Sequence, residues 1–122
     1  MLDLSSEKTE GRLTELPESL SCLTQLQSLS LRGNELTELP KSLRQLTQLQ
    51  SLDLFANLLT DVPDWLGELT QLQSLIIFGS RLSLPRSLGQ LVQLRSLQLG
   101  YAMITELPEW LRQLKQLQSL LM

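Results

Sequence analysis

Histidine is absent from the sequence, and cysteine occurs only once, as Cys22. The first absence removes the commonest general base and the commonest metal ligand of proteins. The second excludes a disulfide within the chain. The phosphate-binding and nucleophile motifs GxxxxGK[ST], GxGxxG and GxSxG do not occur either. We therefore expect no catalytic activity, no metal and no cofactor.

Long apolar runs and basic clusters are also missing. No stretch approaches the roughly 20 apolar residues that a membrane-spanning helix requires. The net charge is -3 and the isoelectric point is about 4.9, which disfavours a nucleic-acid partner. The start of the chain, MLDL, lacks the basic and apolar regions of a secretory signal. We expect a cytoplasmic protein with neither a membrane nor a nucleic acid as partner.

Aromatic residues are scarce, with two Phe, two Trp and one Tyr against 35 Leu. Globular cores mix side chains of several shapes in order to fill space. A core made almost wholly of leucine therefore favours one packing unit that is repeated along the chain.

The repeated unit is visible in the motif TQLQSL, which recurs in steps of 23 residues at 24–29, 47–52 and 70–75. Related hexapeptides follow at 92–97 and 115–120, and a Leu-Pro or Val-Pro pair marks every unit. The chain then divides into a partial repeat, four repeats and a truncated repeat, at 1–15, 16–38, 39–61, 62–83, 84–106 and 107–122. The repeat at 62–83 is one residue shorter than the others.

Each repeat combines two periodicities. Alternation predicts a strand in which Leu52 and Leu54 point inward while Asp53 and Phe55 point outward. After Pro40, leucine recurs at every third residue, which predicts a 3₁₀ or short α turn with the proline in its first turn. Stacked repeats of this kind predict an α/β solenoid with parallel strands on the concave face and helical turns on the convex face.

The spacing LxxLxLxxN, followed by Leu-Pro, resembles that of the leucine-rich-repeat family over essentially the whole chain. The LxxLP variant is similar to the 23-residue class of intracellular and bacterial repeat proteins. The resemblance implies a right-handed solenoid that binds a protein partner, usually on its concave face.

Two departures from the family pattern are informative. The asparagine position holds Asn34 and Asn57 but then Ser80 and Ala102, which can bond fewer backbone groups. The later coils are therefore expected to be joined more loosely. The polar stretch from Ser5 to Arg12 is longer than its counterparts and predicts an extended loop near the first coil.

The concave face contains varied columns of outward residues beside a uniform column of serines. An apolar and aromatic cluster with a polar margin is typical of a binding hot spot. The predicted partner-binding residues are Arg32, Asp53, Phe55, Ile76, Phe78, Gln98 and Tyr101. The alternative is that the two phenylalanines only form a cross-strand pair.

Other surface features have plainer interpretations. Trp65 and Trp110 replace serines on the convex turns, and packing is favoured over binding for them. Carboxylates flank the prolines in most repeats, where they complement the turn dipole and keep the edge soluble, with an acidic docking stripe as the alternative. Cys22 is expected to face solvent as an incidental thiol.

The last strand reads LQSLLM and contains no charge, proline or glycine. Its edge residues, Leu117, Leu120, Leu121 and Met122, are expected to support self-association, because an unpaired strand beside exposed leucines invites another strand. A two-fold antiparallel pairing would close the assembly. The alternative is that further repeats follow and cover this edge.

The leading hypothesis is a protein-binding module that acts through the concave face. A regulatory or targeting part of a larger GTPase, kinase or ligase is a second hypothesis. A consensus-like engineered solenoid without a ligand is a third, which the near-identical TQLQSL motifs favour and the irregular aromatic columns oppose.

Overall fold

The computed structural model describes residues 1–9, 11–78, 83–100 and 108–121. Within these residues, one parallel sheet contains six strands in chain order, so that each strand pairs with the strand of the next repeat. The strands are β1 (Leu2–Asp3), β2 (Ser28–Ser30), β3 (Ser51–Leu54), β4 (Ser74–Ile77), β5 (Ser96–Gln98) and β6 (Ser119–Leu121).

The segments between the strands carry short helices. One α-helical turn, α1 (Ser6–Thr9), follows β1. The remaining helices are 3₁₀ turns, namely η1 (Glu18–Cys22), η2 (Lys41–Gln45), η3 (Asp64–Glu68), η4 (Arg86–Gln90) and η5 (Glu109–Gln113). Each repeat therefore forms one coil made of a strand and a 3₁₀ turn, and the predicted solenoid is confirmed.

The prolines sit one position earlier than the sequence pattern predicts. Pro40 has φ -65° and ψ 139°, which is extended backbone, and it precedes the first residue of η2 as its N-cap. Its carbonyl oxygen accepts a hydrogen bond of 3.1 Å from the N–H of Leu43. The fixed φ of proline suits this residue, and its missing N–H removes no bond of the turn.

The core consists of leucines that stack from coil to coil. Leu29, Leu52, Leu75 and Leu97 are partners in the registers of neighbouring strands, and each is at most 2% exposed. Burial of one such side chain contributes about 1.5–3 kcal/mol. Because every coil supplies the same shape at the same place, the core extends by repetition.

Where the strands end, asparagine side chains make hydrogen bonds to backbone groups of their own coil and of the preceding coil. The Oδ1 atom of Asn57 accepts a 3.1 Å hydrogen bond from the N–H of Leu36. Its Nδ2 atom donates to the carbonyl oxygens of Leu31 and Leu54 at 2.9 and 3.2 Å. Asn34 makes the equivalent contacts one coil earlier.

The later coils were expected to be joined more loosely at Ser80 and Ala102. Both of these residues lie outside the described residues. The asparagine contacts are therefore established for the first coils of the solenoid.

The N-terminal insertion is more ordered than the expected extended loop. Its residues form α1, in which the N–H of Lys8 donates a 2.9 Å hydrogen bond to the carbonyl oxygen of Ser5. The N–H of Ser6 bonds the carbonyl oxygen of Arg32 at 3.0 Å. The prediction of an extended loop is wrong at this helical turn, because its local hydrogen bond and its contact with the next coil fix the backbone.

Replacement of Asn57 by alanine tests the role of the side-chain ladder. Asn57→Ala leaves buried donor and acceptor groups without partners, so we expect the free energy of unfolding to fall by about 2–4 kcal/mol. Urea unfolding measures this change. Leu58→Ala is the matched control, since Leu58 is 58% exposed in the same turn and should change stability by less than about 0.5 kcal/mol. Equal effects would contradict the ladder role.

Candidate functional site

The outward residues of the strands form rows across the concave face. The serines at 28, 51, 74, 96 and 119 are register partners of one another. The adjacent row changes character along the solenoid, since Ser30 pairs with Asp53, Asp53 with Ile76, and Ile76 with Gln98. The predicted columns are therefore confirmed in this part of the sheet.

An arginine and two phenylalanines stack in the next row. The guanidinium carbon of Arg32 lies 4.0 Å from the centroid of the Phe55 ring. The Phe55 and Phe78 rings have centroids 4.4 Å apart and an interplanar angle of 72°, which is an edge-to-face contact. Both rings are half-buried, and Arg32 is exposed. The row thus presents one cationic group and two aromatic groups to solvent in a fixed order.

Gly100 makes room for the end of this row. A Cβ atom built on Gly100 would overlap the Phe78 ring, whose Cε1, Cδ1 and Cζ atoms are its nearest neighbours. Gly100 is itself buried. Because Gly100 has no side chain, the Phe78 ring can occupy this space beside the backbone of the next coil.

The carboxylate of Asp53, beside the row, already has a hydrogen-bond donor and a cation as partners. Asp53 accepts a 2.9 Å hydrogen bond from the N–H of Phe55 through Oδ1, and its Oδ2 lies 3.3 Å from Nη1 of Arg32. Asp3 has the same local geometry, since its Oδ1 accepts a 2.9 Å bond from the N–H of Ser5. Hydrogen bonds from the side chain and backbone of Ser5 hold the pKa of Asp3 below its usual value, with a smaller contribution from Lys8.

A small pocket of about 210 Å³ lies between α1 and the stacked row. Ser5, Ser6 and Glu7 form one wall, while Arg32 and Phe55 form the other. Small-molecule sites begin at about 300 Å³, so this pocket fits a single side chain better than a cofactor. The sequence did not reveal it, because α1 was expected to be an extended loop.

The structure places four of the seven predicted partner-binding residues together. Arg32, Asp53, Phe55 and Phe78 form one connected cluster. The row of Ile76 and Gln98 runs beside this cluster. Tyr101 lies outside the described residues.

The tryptophans are packing residues, as the sequence favoured. Trp65 and Trp110 are 8% and 6% exposed and belong to the core cluster. Cys22 is exposed, as expected.

Two other kinds of site have no counterpart among the described residues. Among the described residues, no group of three Cys, Asp or Glu side chains is arranged to hold a metal ion. In the same part of the chain, no helix has the length and apolar character of a membrane span.

Comparisons with known proteins agree with this geometry. Residues 24–68 match a family model described as leucine rich repeats in two copies. The chain is similar to a solved leucine-rich-repeat protein of Leptospira interrogans, with 40% sequence identity and a TM-score of 0.86 over 98% of this chain and 30% of that one. It is also similar to an internalin of Listeria monocytogenes, with 30% identity and a TM-score of 0.74 over 89% of this chain and 32% of that one.

The chain belongs to the leucine-rich-repeat family. The resemblance inferred from the repeat spacing is thereby confirmed. Solenoids of this family generally use their extended concave surface for protein binding. This chain spans about a third of the length of the two bacterial proteins, 30% of the Leptospira protein and 32% of the internalin.

Further comparisons extend the likeness of fold. The repeat protein is similar to a plant peptide hormone receptor, RGFR1 in complex with RGF2, with 26% identity and a TM-score of 0.53 over 88% of this chain and 26% of that one. No curated protein matches the sequence at a significant level.

The turn after Phe55 holds a strained residue that the sequence analysis missed. Ala56 has φ 58°, whereas the equivalent position one coil earlier is Gly33 with φ 75°. A left-handed backbone costs a residue with a Cβ about 1–2 kcal/mol, and glycine adopts it without that cost. The glycine of the neighbouring repeat was the signal that could have identified this position.

We expect Ala56→Gly to raise the free energy of unfolding by about 1 kcal/mol, because it relieves this strain. The reciprocal change, Gly33→Ala, should lower it, since the added Cβ would also meet Oγ of Ser6. Urea unfolding of both variants measures the two effects. Destabilisation by Ala56→Gly would show that the alanine side chain makes contacts that outweigh the backbone strain.

Proposed function

We propose that this repeat protein is a protein-binding module whose concave face contacts a protein partner. The contact residues are Arg32, Asp53, Phe55, Ile76, Phe78, Gln98 and Tyr101. The single observation that carries the proposal is the stacked row on that face, where the Arg32 guanidinium lies over Phe55 and the Phe55 ring meets that of Phe78.

The stacked row has the composition of an interface anchor. Aromatic and arginine side chains contribute most to hot spots, where a polar margin excludes water around them. Here Asp53 and Gln98 supply polar groups beside the rings. Contacts within the row already hold its side chains in place. These side chains would therefore lose less conformational entropy on binding a partner than free side chains would.

Protein binding also agrees with the comparisons. A solved receptor of similar fold is described as a plant peptide hormone receptor in complex with RGF2. Its likeness in fold supports the binding of a polypeptide by this chain.

Truncation of Phe78 is the direct test. We expect Phe78→Ala to weaken binding of a protein partner by about 2 kcal/mol or more, as hot-spot truncations do. Proteins that the immobilised wild-type chain retains from an extract of its source organism would be identified, and their affinities measured against both chains. Thermal unfolding gives the folded fraction of each variant, so that affinity is expressed per folded molecule.

Val92→Ala is the matched control for this test, because Val92 is an apolar side chain that is 50% exposed outside the concave rows. It should leave the affinity unchanged. If Phe78→Ala lowers the melting temperature while the affinity per folded molecule stays the same, the aromatic row is structural and the proposal fails.

We also propose that the edge of β6 pairs with a second copy of the chain. Leu120 is 38% exposed, although its register partner Leu97 is 1% exposed. Leu121 is 55% exposed in the same strand. The predicted strand, 117–122, is longer than β6. Leu117 precedes β6 and packs partly buried against the core, and Met122 lies outside the described residues.

A polypeptide of these 122 residues is therefore expected to self-associate, because pairing would cover both exposed leucines and the strand edge. Light scattering after gel filtration would give the molar mass. Leu120→Lys should yield a monomer, as should the addition of a further repeat after β6. A wild-type monomer at millimolar concentration would disprove the pairing.

A further inference from the structure

A groove of about 870 Å³ lies on the edge of the solenoid where the proline segments enter the 3₁₀ turns. It is lined by residues of η2 and η3, of the segments before them, and of the segment before η4, away from the concave rows. It has more than four times the volume of the pocket beside α1. It therefore has room for several side chains of a bound polypeptide.

The floor of the groove is apolar. Leu39, Val62 and Pro63 line it together with Trp65. Trp65 is specific to this coil, since the equivalent residues of the neighbouring coils are Ser42 and Ser87. Trp65 is mostly buried, at 8% exposed, and it adds an apolar lining residue where the neighbouring repeats have a serine.

The rim of the groove has an excess of negative charge. Arg44 and Glu68 neutralise each other, because Nη2 of Arg44 lies 2.8 and 2.9 Å from the two carboxylate oxygens of Glu68. Among the described residues that line the groove, three further carboxylates, those of Glu38, Asp61 and Asp64, stand against one additional cation, Lys41.

These three carboxylates are exposed, and none forms an ion pair with any residue that the structure describes. A cation from another molecule can therefore approach them without displacing an existing partner.

We propose that this groove binds an extended, lysine- or arginine-rich segment of a partner protein. Such side chains combine an apolar stem with a cationic end. The stems match the floor formed by Leu39, Val62, Pro63 and Trp65, and the cationic ends match the carboxylates of Asp61 and Asp64. Charge complementarity selects this occupant over an acidic one. The proposal is independent of the concave face.

A defined peptide provides the test. The probe is an acetylated and amidated pentapeptide of alternating lysine and alanine, titrated into the isotopically labelled chain and followed by two-dimensional NMR. Low ionic strength is needed, because salt screens exposed charges. We expect the largest shifts at residues 38–41 and 61–65 and at the Trp65 indole N–H. The corresponding peptide with glutamate in place of lysine should cause none.

Charge removal at the rim gives the quantitative readout. The double variant Asp61→Asn/Asp64→Asn should raise the Kd of the lysine peptide about fivefold, since it deletes two exposed charge pairs. Glu15→Gln/Glu18→Gln is the matched control, because it removes the same charges at the equivalent positions of the first coil. The control should change the Kd less than about twofold.

The proposal is overturned by any of three results. Equal weakening by the two double variants would show a response to net charge alone. Equal binding of the glutamate peptide would exclude charge selection. Shifts confined to other surfaces, or no shifts at all, would show that the groove is not the binding site. Circular dichroism verifies that both double variants are folded, which is expected because all four carboxylates are exposed.

Discussion

The stacking of identical leucines at one register is the constraint on which the rest of the structure depends. Leu29, Leu52, Leu75 and Leu97 are register partners, and each is almost completely buried. A shift of one residue in any strand would turn its leucines outward. The inward leucines therefore fix the position of every outward side chain.

This constraint turns distant sequence positions into neighbours. Arg32, Phe55 and Phe78 are about one repeat apart in the chain, yet they form a single stack because their coils are adjacent. The outward positions can differ from repeat to repeat, as they do in this row, since the core is formed by the inward leucines. The serine row is uniform from coil to coil, so the distinctive chemistry of the concave face lies in the aromatic row.

The two proposed binding surfaces arise from different elements of the same coil. The concave row depends on the strands and is nearly neutral, because the one cation in it is paired with Asp53. The edge groove depends on the proline segments and has an excess of carboxylates. Their chemistry differs, so the surfaces suit different partner segments, and their separation on the coil allows both to be occupied at once.

The sequence by itself determined the repeat, the alternation of inward and outward residues, and the columns in which they stand. These properties follow from periodicity, which can be read directly from the order of residues in the sequence. The sequence also placed Gly100 in the column of Phe78. It could not show that the ring would lie over that glycine, because ring orientation depends on packing between coils.

Other features were decided only by tertiary structure. The helical turn α1, the left-handed backbone at Ala56 and the pocket between them occur where the repeat pattern is interrupted or a neighbouring coil is contacted. The edge groove is another such feature, since its floor and rim come from three successive coils. Periodicity specifies which residues are equivalent, whereas the shape and volume of the pocket and the groove depend on how the coils pack in three dimensions.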